Sequence, residues 1–188
     1  AAAKFGLAER LATDLYLQLG VPESKFVGYD TCAYATELVA LVDENGERLT
    51  SDEGDELELV LESTPFYSEA GGQVGDTGVL ESPTGRADVT DTRRPLPGLF
   101  VHVAKITSGY LEKGQGVTAK VDLERRADIA RHHSATHLLH KALQQTVGAH
   151  AQQSGSLVAP DRLRFDFTHP AALTPKEVVQ VERLVNEA

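Results

Sequence analysis

The spacing of hydrophobic residues limits most strongly how this chain can fold, and it changes twice along the sequence. Between residues 26 and 122 apolar and polar side chains alternate, as in DELELVLE (residues 55–62), whose leucines face away from its glutamates. A period of two predicts strands with one buried face. Turn residues, as in SPTG and LEKGQG, separate several of these strands. Many short strands joined by glycine turns predict a small antiparallel barrel or sandwich.

Helical spacing replaces this alternation on both sides of the β-rich region. Leucines recur every fourth residue over 4–19, which predicts an amphipathic helix. A second helix is predicted over 123–147, with Gly148 as its stop. Two strands around a Pro-Asp turn follow, and Thr174 then opens a capping box for a last helix that continues to the final residue. We therefore expect an α+β fold with three regions, residues 1–25, 26–122 and 123–188.

Composition bears on nucleic-acid binding, membrane association and disulfide formation. The net charge of −10 makes general nucleic-acid affinity unexpected, so RNA binding would depend on short basic clusters. These candidate clusters are Arg93–Arg94, Arg125–Arg126 and the pair Arg162 and Arg164. No apolar run approaches the roughly 20 residues of a membrane span, so no membrane partner is expected. The single cysteine, Cys32, excludes an internal disulfide and fits a reducing compartment, which leads us to expect a cytoplasmic protein.

A cluster of histidines is the first candidate site. Four of the seven histidines lie within residues 131–140. On the predicted helix His133, His137 and His140 share an arc of about 60°, whereas His132 points away. Imidazoles four residues apart on a helix can meet one tetrahedral ion. The spacing alone leaves two interpretations open, metal ligands or polar surface, because two ligands do not complete a zinc site.

The second candidate site is the stretch TPFYSEAGGQVGDTG, residues 64–78. Its four glycines permit unusual backbone dihedrals and close approach of a ligand, with Glu69, Gln73 and Asp76 among them. It lacks the Gly-Lys-Ser/Thr of a Walker loop and the strand–turn–helix order of a dinucleotide-binding fingerprint. The residues alone leave open a plain glycine-rich β-turn or a loop that holds a nucleotide or a polar chain end.

These strings together resemble those of alanyl-tRNA synthetases and their stand-alone editing relatives. HSATHLLHKAL, QSGSLV and LRFDFTH follow the glycine-rich stretch in the family's order, and the resemblance covers residues 26–188. It implies a β-barrel of the translation-factor type over 26–122 and the N-terminal part of an α/β editing core over 123–188. Residues 1–25 resemble the connector helix from the upstream tRNA-recognition region.

The resemblance also bears on the completeness of the chain. The sequence contains no methionine and ends within a helical pattern, so we expect an internal segment of a longer synthetase with a truncated editing core. The alternatives are a stand-alone trans-editing hydrolase and a non-catalytic tRNA-binding barrel.

The activity that the resemblance implies is hydrolysis of Ser-tRNA(Ala) and Gly-tRNA(Ala) at the acceptor end. A pocket sized for alanine discriminates against glycine or serine by only roughly 10- to 200-fold, so a second, hydrolytic site is needed. The parent enzyme would be an alanine–tRNA ligase. Alanine, ATP and Mg²⁺ would then bind only in its catalytic domain.

The resemblance assigns roles to individual residues. His133 and His137 look like the first two zinc ligands, and the remaining Cys and His ligands are expected beyond residue 188, which leaves half a site here. The family usually has Asn where this chain has His132. Residues resembling the editing pocket are Thr136, Gln153 and Ser156. Residues expected to hold the terminal adenosine of the tRNA are Glu69, Gly71, Gly72, Gln73 and Asp76.

Two further expectations remain. Thr136 has an alternative role, in which its hydroxyl bonds back to the helix carbonyl one turn earlier. His169, in the FTHP stretch, is expected to be a loop residue without a role in the site.

Overall fold

The computed structural model of the protein describes residues 15–188, which form two compact units. The first unit contains the described residues up to Glu69 together with Gly75–Leu123, and the second contains Ala70–Val74 together with Glu124–Ala188. Most of the helix predicted over 4–19 lies outside the described residues, although residues 15–19 are helical. All of the glycine-rich stretch was predicted to lie in the barrel region, whereas its tip, Ala70–Val74, belongs to the second unit.

The described residues of the first unit form nine strands. They are β1 (Lys25–Phe26), β2 (Ala33–Asp43), β3 (Gly46–Arg48), β4 (Glu56–Leu61), β5 (Ser63–Thr64), β6 (Gly78–Glu81), β7 (Gly85–Leu96), β8 (Leu99–Gly109) and β9 (Gly116–Val121). The main sheet has the order β3-β2-β4-β8-β7-β6-β9, and β2 also pairs with β9. This last pairing closes six antiparallel strands into a barrel, while β3 extends the sheet beside β2. The structure therefore selects a barrel over the alternative sandwich.

The long strand β2 closes the barrel because it changes partner along its length. Its first half, Ala33–Glu37, pairs with β9, and its second half pairs with β4 from Leu38 onward. The register shifts between Leu38 and Ala40, where the partner changes. A bulge of this kind bends a strand and increases its twist, which a small closed barrel requires.

The alternation in β4 places its leucines in the barrel core, as the sequence predicted. Leu57, Leu59 and Leu61 belong to the main hydrophobic cluster. Val60 faces the other way and is also fully buried, because it packs with Tyr16 from the helical segment 15–19. The strand is therefore covered on both faces in this region. The sequence predicted only one buried face.

The second unit contains two helices and one hairpin. They are α1 (Leu123–Val147), β10 (Gln153–Val158), β11 (Leu163–Phe167) and α2 (Pro175–Asn186). Both bounds of α1 agree with the sequence prediction, and the capping box at Thr174 is confirmed. The helix α2 ends at Asn186 with Glu187 as its C-cap, so the prediction that it continues to the last residue was wrong.

The core of the second unit lies between these elements. Ala142, Leu143, Ala151 and Val181 are buried at its centre. An open apolar groove borders this core; it is lined by α1, β11 and α2, and Phe165 and Phe167 lie along it. Within residues 15–188 no helix combines the length and the hydrophobicity of a membrane-spanning segment.

Candidate functional site

The tip of the glycine-rich stretch is a two-residue turn. Ala70 N donates to Gln73 O at 3.1 Å, and Gln73 N donates to Ala70 O at 3.0 Å. Between them Gly71 and Gly72 have φ angles of +61° and +85°. A turn with positive φ at both central residues resembles type I′, which strongly favours glycine. The glycine pair is therefore required by the backbone of the turn, whatever it binds.

This turn is fastened to the strand β10. Val158 N donates to Gly72 O at 2.7 Å, and Val74 N donates to Val158 O at 3.1 Å. A side chain at Gly72 would place its Cβ only 2.4 Å from the Ser156 carbonyl oxygen. The chain can approach β10 this closely only because residue 72 has no side chain.

The turn and the histidine-bearing helix meet at Gln73. The Gln73 Oε1 atom lies 2.7 Å from Nδ1 of His133. The amide oxygen can only accept, so Nδ1 of His133 carries the hydrogen and donates it. This leaves the lone pair of the ring on Nε2.

His133 and His137 form the pair that the sequence predicted. Their ring centroids lie 5.0 Å apart with the planes inclined by 49°, and both side chains are exposed. Two neighbouring imidazoles of this kind fit the chemistry of two zinc ligands. Among residues 15–188, however, no group of three Cys, His, Asp or Glu side chains could hold an ion. The described residues therefore supply a pair of possible ligands and not a closed metal site.

The neighbouring histidines have structural contacts instead. His132 donates from Nδ1 to the Ala159 carbonyl oxygen at 2.7 Å, away from the pair, as the helical geometry predicted. His140 was predicted to share the arc of His133 and His137. Its Nε2 atom lies 3.0 Å from the Ala151 carbonyl oxygen, and its ring lies 5.0 Å from that of Phe165, so it faces the core.

The three predicted pocket residues differ in environment. Thr136 is 8% exposed, and its hydroxyl donates to the His132 carbonyl oxygen at 2.8 Å, which is the alternative role considered from the sequence. Its oxygen lone pairs still allow it to accept a hydrogen bond. Ser156 is half-buried on β10 beside the glycine turn. Gln153 is exposed at the start of β10, next to a bulge that ends at Gly155.

Two of the predicted loop residues belong to the first unit and hold its backbone. Asp76 is 2% exposed, and its Oδ2 accepts from Tyr67 N at 2.8 Å. The Asp76 carbonyl oxygen also accepts from the Thr92 hydroxyl at 2.9 Å. Glu69 is exposed, and its N–H donates to Thr92 O at 2.9 Å. These contacts fix the two ends of the loop on β7, and binding of the tRNA terminus by either residue stays a prediction.

A second pair of histidines was missed by the sequence analysis. Nε2 of His150 lies 2.8 Å from Nδ1 of His169, and the rings stack with centroids 5.1 Å apart. His169 is thus more than a passive loop residue, because it joins the two ends of the β10–β11 hairpin. Nothing in the spacing of two histidines 19 residues apart indicates this contact.

Several of the candidate basic residues lie in exposed ion pairs with nearby carboxylates. Arg93 pairs with Asp91 at 2.8 Å, Arg162 with Asp161 at 3.0 Å, and Arg164 with Asp166 at 3.1 Å. Exposed ion pairs contribute at most about 1 kcal/mol, so these side chains can exchange a carboxylate for a phosphate at little cost.

Comparison of the sequence with known proteins identifies its family. Residues 6–125 match the family of tRNA synthetases class II (A). The match covers the barrel and ends before the His133–His137 pair. The chain therefore belongs to the class II (A) tRNA synthetases.

The similar curated proteins are alanine–tRNA ligases. That of Chloroflexus aurantiacus is 47% identical over 174 residues, which cover 93% of this chain and 20% of that protein. That of Paracoccus denitrificans is 50% identical over 164 residues, 87% of this chain and 18% of that protein. That of Thermus thermophilus is 48% identical over 182 residues, 97% of this chain and 20% of that protein. The chain thus corresponds to an alanyl-tRNA synthetase segment and spans about one fifth of the length of these relatives.

Proposed function

We propose that this segment forms the start of the editing region of an alanyl-tRNA synthetase, where Ser-tRNA(Ala) and Gly-tRNA(Ala) are hydrolysed. The observation that carries the proposal is the contact between Gln73 and His133 within one compact unit. It brings the tip of the glycine-rich loop to the histidine pair. A loop that holds the end of a tRNA and a pair of metal ligands must meet in this way if both serve one reaction.

The described residues fit recognition of a small polar substrate. Thr136 and Ser156 offer hydroxyl groups and Gln153 offers an amide, all of which can bond to the extra oxygen of serine. Such a group forms a hydrogen bond with the side-chain hydroxyl of the serine ester. In the alanine ester the same group has no partner, so the serine ester is favoured. Glycine, which has no side chain, would be excluded by none of them.

The reaction is ester hydrolysis. A water oxygen bonds to the carbonyl carbon of the amino acid, the ester C–O bond breaks, and the ribose hydroxyl of the terminal adenosine leaves with a proton. A zinc ion bound by His133, His137 and further ligands would supply a Lewis acid near that carbonyl. The glycine turn, held by β10, would keep the terminal nucleotide close to the pair.

For the whole protein we propose the partners of an alanine–tRNA ligase, namely tRNA(Ala), alanine and ATP with Mg²⁺. The exposed arginines would contact phosphates of the tRNA, contacts that provide affinity without reading sequence. A second candidate function applies to the isolated segment. Because its described residues supply only two of the ligands, it would bind tRNA(Ala) without hydrolysing the ester.

Deacylation of Ser-tRNA(Ala) tests the proposal. The 188-residue chain is compared with a longer form of the same protein that continues past residue 188. The longer form should release serine, and His137→Ala should abolish release. Lys141→Ala, at an exposed position one turn further along α1, should leave release unchanged. Absence of serine release by the longer form would overturn the editing assignment.

A further inference from the structure

We infer that Gln73 is a positioning residue that fixes His133 in the tautomer carrying its hydrogen on Nδ1, so that Nε2 is presented for ligation beside His137. Only the use of Nε2 as a metal ligand rests on the proposed function. The fixed tautomer follows from the contact itself. It would give the glycine turn a second purpose beyond holding the tRNA terminus.

Hydrogen bonds on both sides of Gln73 fix the backbone from which its side chain extends. Gln73 N and O both bond to Ala70 across the turn, at 3.0 Å and 3.1 Å. The flanking residues are bonded to Val158 of β10, through Gly72 O at 2.7 Å and Val74 N at 3.1 Å. Four backbone hydrogen bonds therefore fix the segment from which the amide extends. Because the backbone is already ordered, only the side chain of Gln73 has to be ordered for its amide to bind His133.

The contact with His133 selects one tautomer. Gln73 Oε1, at 2.7 Å from Nδ1, can accept a hydrogen and cannot donate one. A neutral imidazole has one N–H, so fixing it on Nδ1 leaves Nε2 with its lone pair. Metal-binding histidines commonly donate their other ring N–H to an oxygen acceptor, which sets both tautomer and ring orientation.

His137 has no such support in the described part of the chain. Its ring lies 5.0 Å from that of His133, and no hydrogen bond to it occurs among residues 15–188. The two members of the pair therefore differ. One is fixed in advance by the glycine turn, and the other is free to orient when an ion arrives.

This role differs from direct binding of the tRNA terminus, to which the sequence analysis assigned Gln73. The amide oxygen of Gln73 lies 2.7 Å from Nδ1 of His133, so one of its two lone pairs is engaged by the histidine. A purely substrate-binding glutamine would change substrate affinity and leave His133 unaffected.

The first test reads the tautomer in the 188-residue chain without added metal. Long-range ¹H–¹⁵N correlation spectra at pH 8.5 distinguish protonated from unprotonated ring nitrogens, and His133→Gln identifies the signals of His133. We expect Nδ1–H in the unmodified chain and in Gln73→Glu, which keeps an oxygen acceptor. Gln73→Leu should shift His133 towards the Nε2–H tautomer. Gln145→Leu, at an exposed position on α1, is the matched control and should change nothing.

The second test measures zinc affinity in the longer form that continues past residue 188. Loss of an oxygen partner of a ligating histidine typically lowers metal affinity roughly 10- to 100-fold, so we expect Gln73→Leu to lose that much and Gln73→Glu to retain it. Unchanged tautomer and zinc affinity in Gln73→Leu, with a higher KM for Ser-tRNA(Ala), would overturn the inference in favour of substrate binding. If the longer form releases no serine at all, the proposed function fails, while the tautomer measurement still decides the role of Gln73.

Discussion

Nε2 of His102 lies 2.8 Å from the Thr64 hydroxyl oxygen inside the barrel, and neither side chain has measurable exposure. Nδ1 of the same ring lies 2.9 Å from the Leu59 carbonyl oxygen, so it donates there and Nε2 accepts from Thr64. Thr64 Oγ1 accepts in turn from Phe66 N at 3.1 Å. When the imidazole is neutral, each polar group in this buried series of hydrogen bonds has a partner.

Acid should therefore destabilise the barrel through His102. Burial lowers the pKa of this imidazole to about 4, against a partly offsetting bond to Leu59. Between about pH 6.5 and pH 4, His102 is protonated in the unfolded chain and neutral in the folded chain. The free energy of unfolding therefore falls as the pH falls through this window. We expect a loss of about 2 kcal/mol in the free energy of unfolding between pH 7 and pH 4.5.

Urea denaturation at several pH values, followed by circular dichroism, measures this loss. His102→Gln removes the titrating group. Between pH 7 and pH 4.5 this variant should lose about 2 kcal/mol less unfolding free energy than the unmodified chain. Equal pH dependence in both proteins would show that other groups cause the acid sensitivity.

The two glycines of the turn should respond differently to alanine. Gly71 has φ +61°, and no atom lies within 4 Å of the position that an added Cβ would take, so Gly71→Ala should cost only the left-handed strain of about 1–2 kcal/mol. Gly72→Ala adds a contact of 2.4 Å with the Ser156 carbonyl oxygen and should cost more. Hydrogen exchange of the Val158 amide, which donates to Gly72 O, reports this region directly. We expect faster exchange in Gly72→Ala than in Gly71→Ala, and equal rates would contradict the close approach.

Removing the hydroxyl of Tyr16 should weaken the packing of the helical segment 15–19 on the barrel. Tyr16 is 2% exposed and donates to a carboxylate oxygen of Glu58, and burial raises the pKa of its hydroxyl. Tyr16→Phe keeps the ring and loses the bond, so we expect a loss of about 1 kcal/mol in unfolding free energy. Tyr29→Phe, at a side chain that is 88% exposed, serves as the control and should have no effect. If Tyr16→Phe is as stable as the unmodified chain, the hydrogen bond to Glu58 does not contribute to the free energy of unfolding.

The elements that the sequence predicted well are those set by neighbouring residues. The bounds of α1, the capping box at Thr174 and the leucine face of β4 all follow from patterns within one turn or one strand. The extent of β7, Gly85–Leu96, does not follow from a local pattern, because this strand pairs with β8 through three register shifts. The strand β6 was not predicted, since it has four residues and depends on its partners.

Only some of the contacts among the candidate site residues could be predicted from the sequence. Helical geometry brought His133 and His137 together, yet it also grouped His140 with them, because a helical arc does not show which side chains find a carbonyl in the core. The contact from Gln73 to His133 joins residues 60 apart. This contact depends on the hydrogen bonds that hold the glycine turn against β10, and no local sequence pattern predicts those hydrogen bonds.

The hydroxyl of Thr136 gives the sharpest test of substrate selection. It donates to the His132 carbonyl oxygen at 2.8 Å, so it offers a ligand only its lone pairs and would accept from the hydroxyl of serine. In the longer form, Thr136→Val should slow release of serine from Ser-tRNA(Ala) by roughly 3- to 10-fold, the effect of one hydrogen bond. Glycine has no hydroxyl to lose, so release from Gly-tRNA(Ala) should not change, and Thr136→Ser should behave as the unmodified protein with both substrates. Steady-state deacylation with the two charged tRNAs measures the difference, and an equal loss for serine and glycine would assign Thr136 to the helix alone.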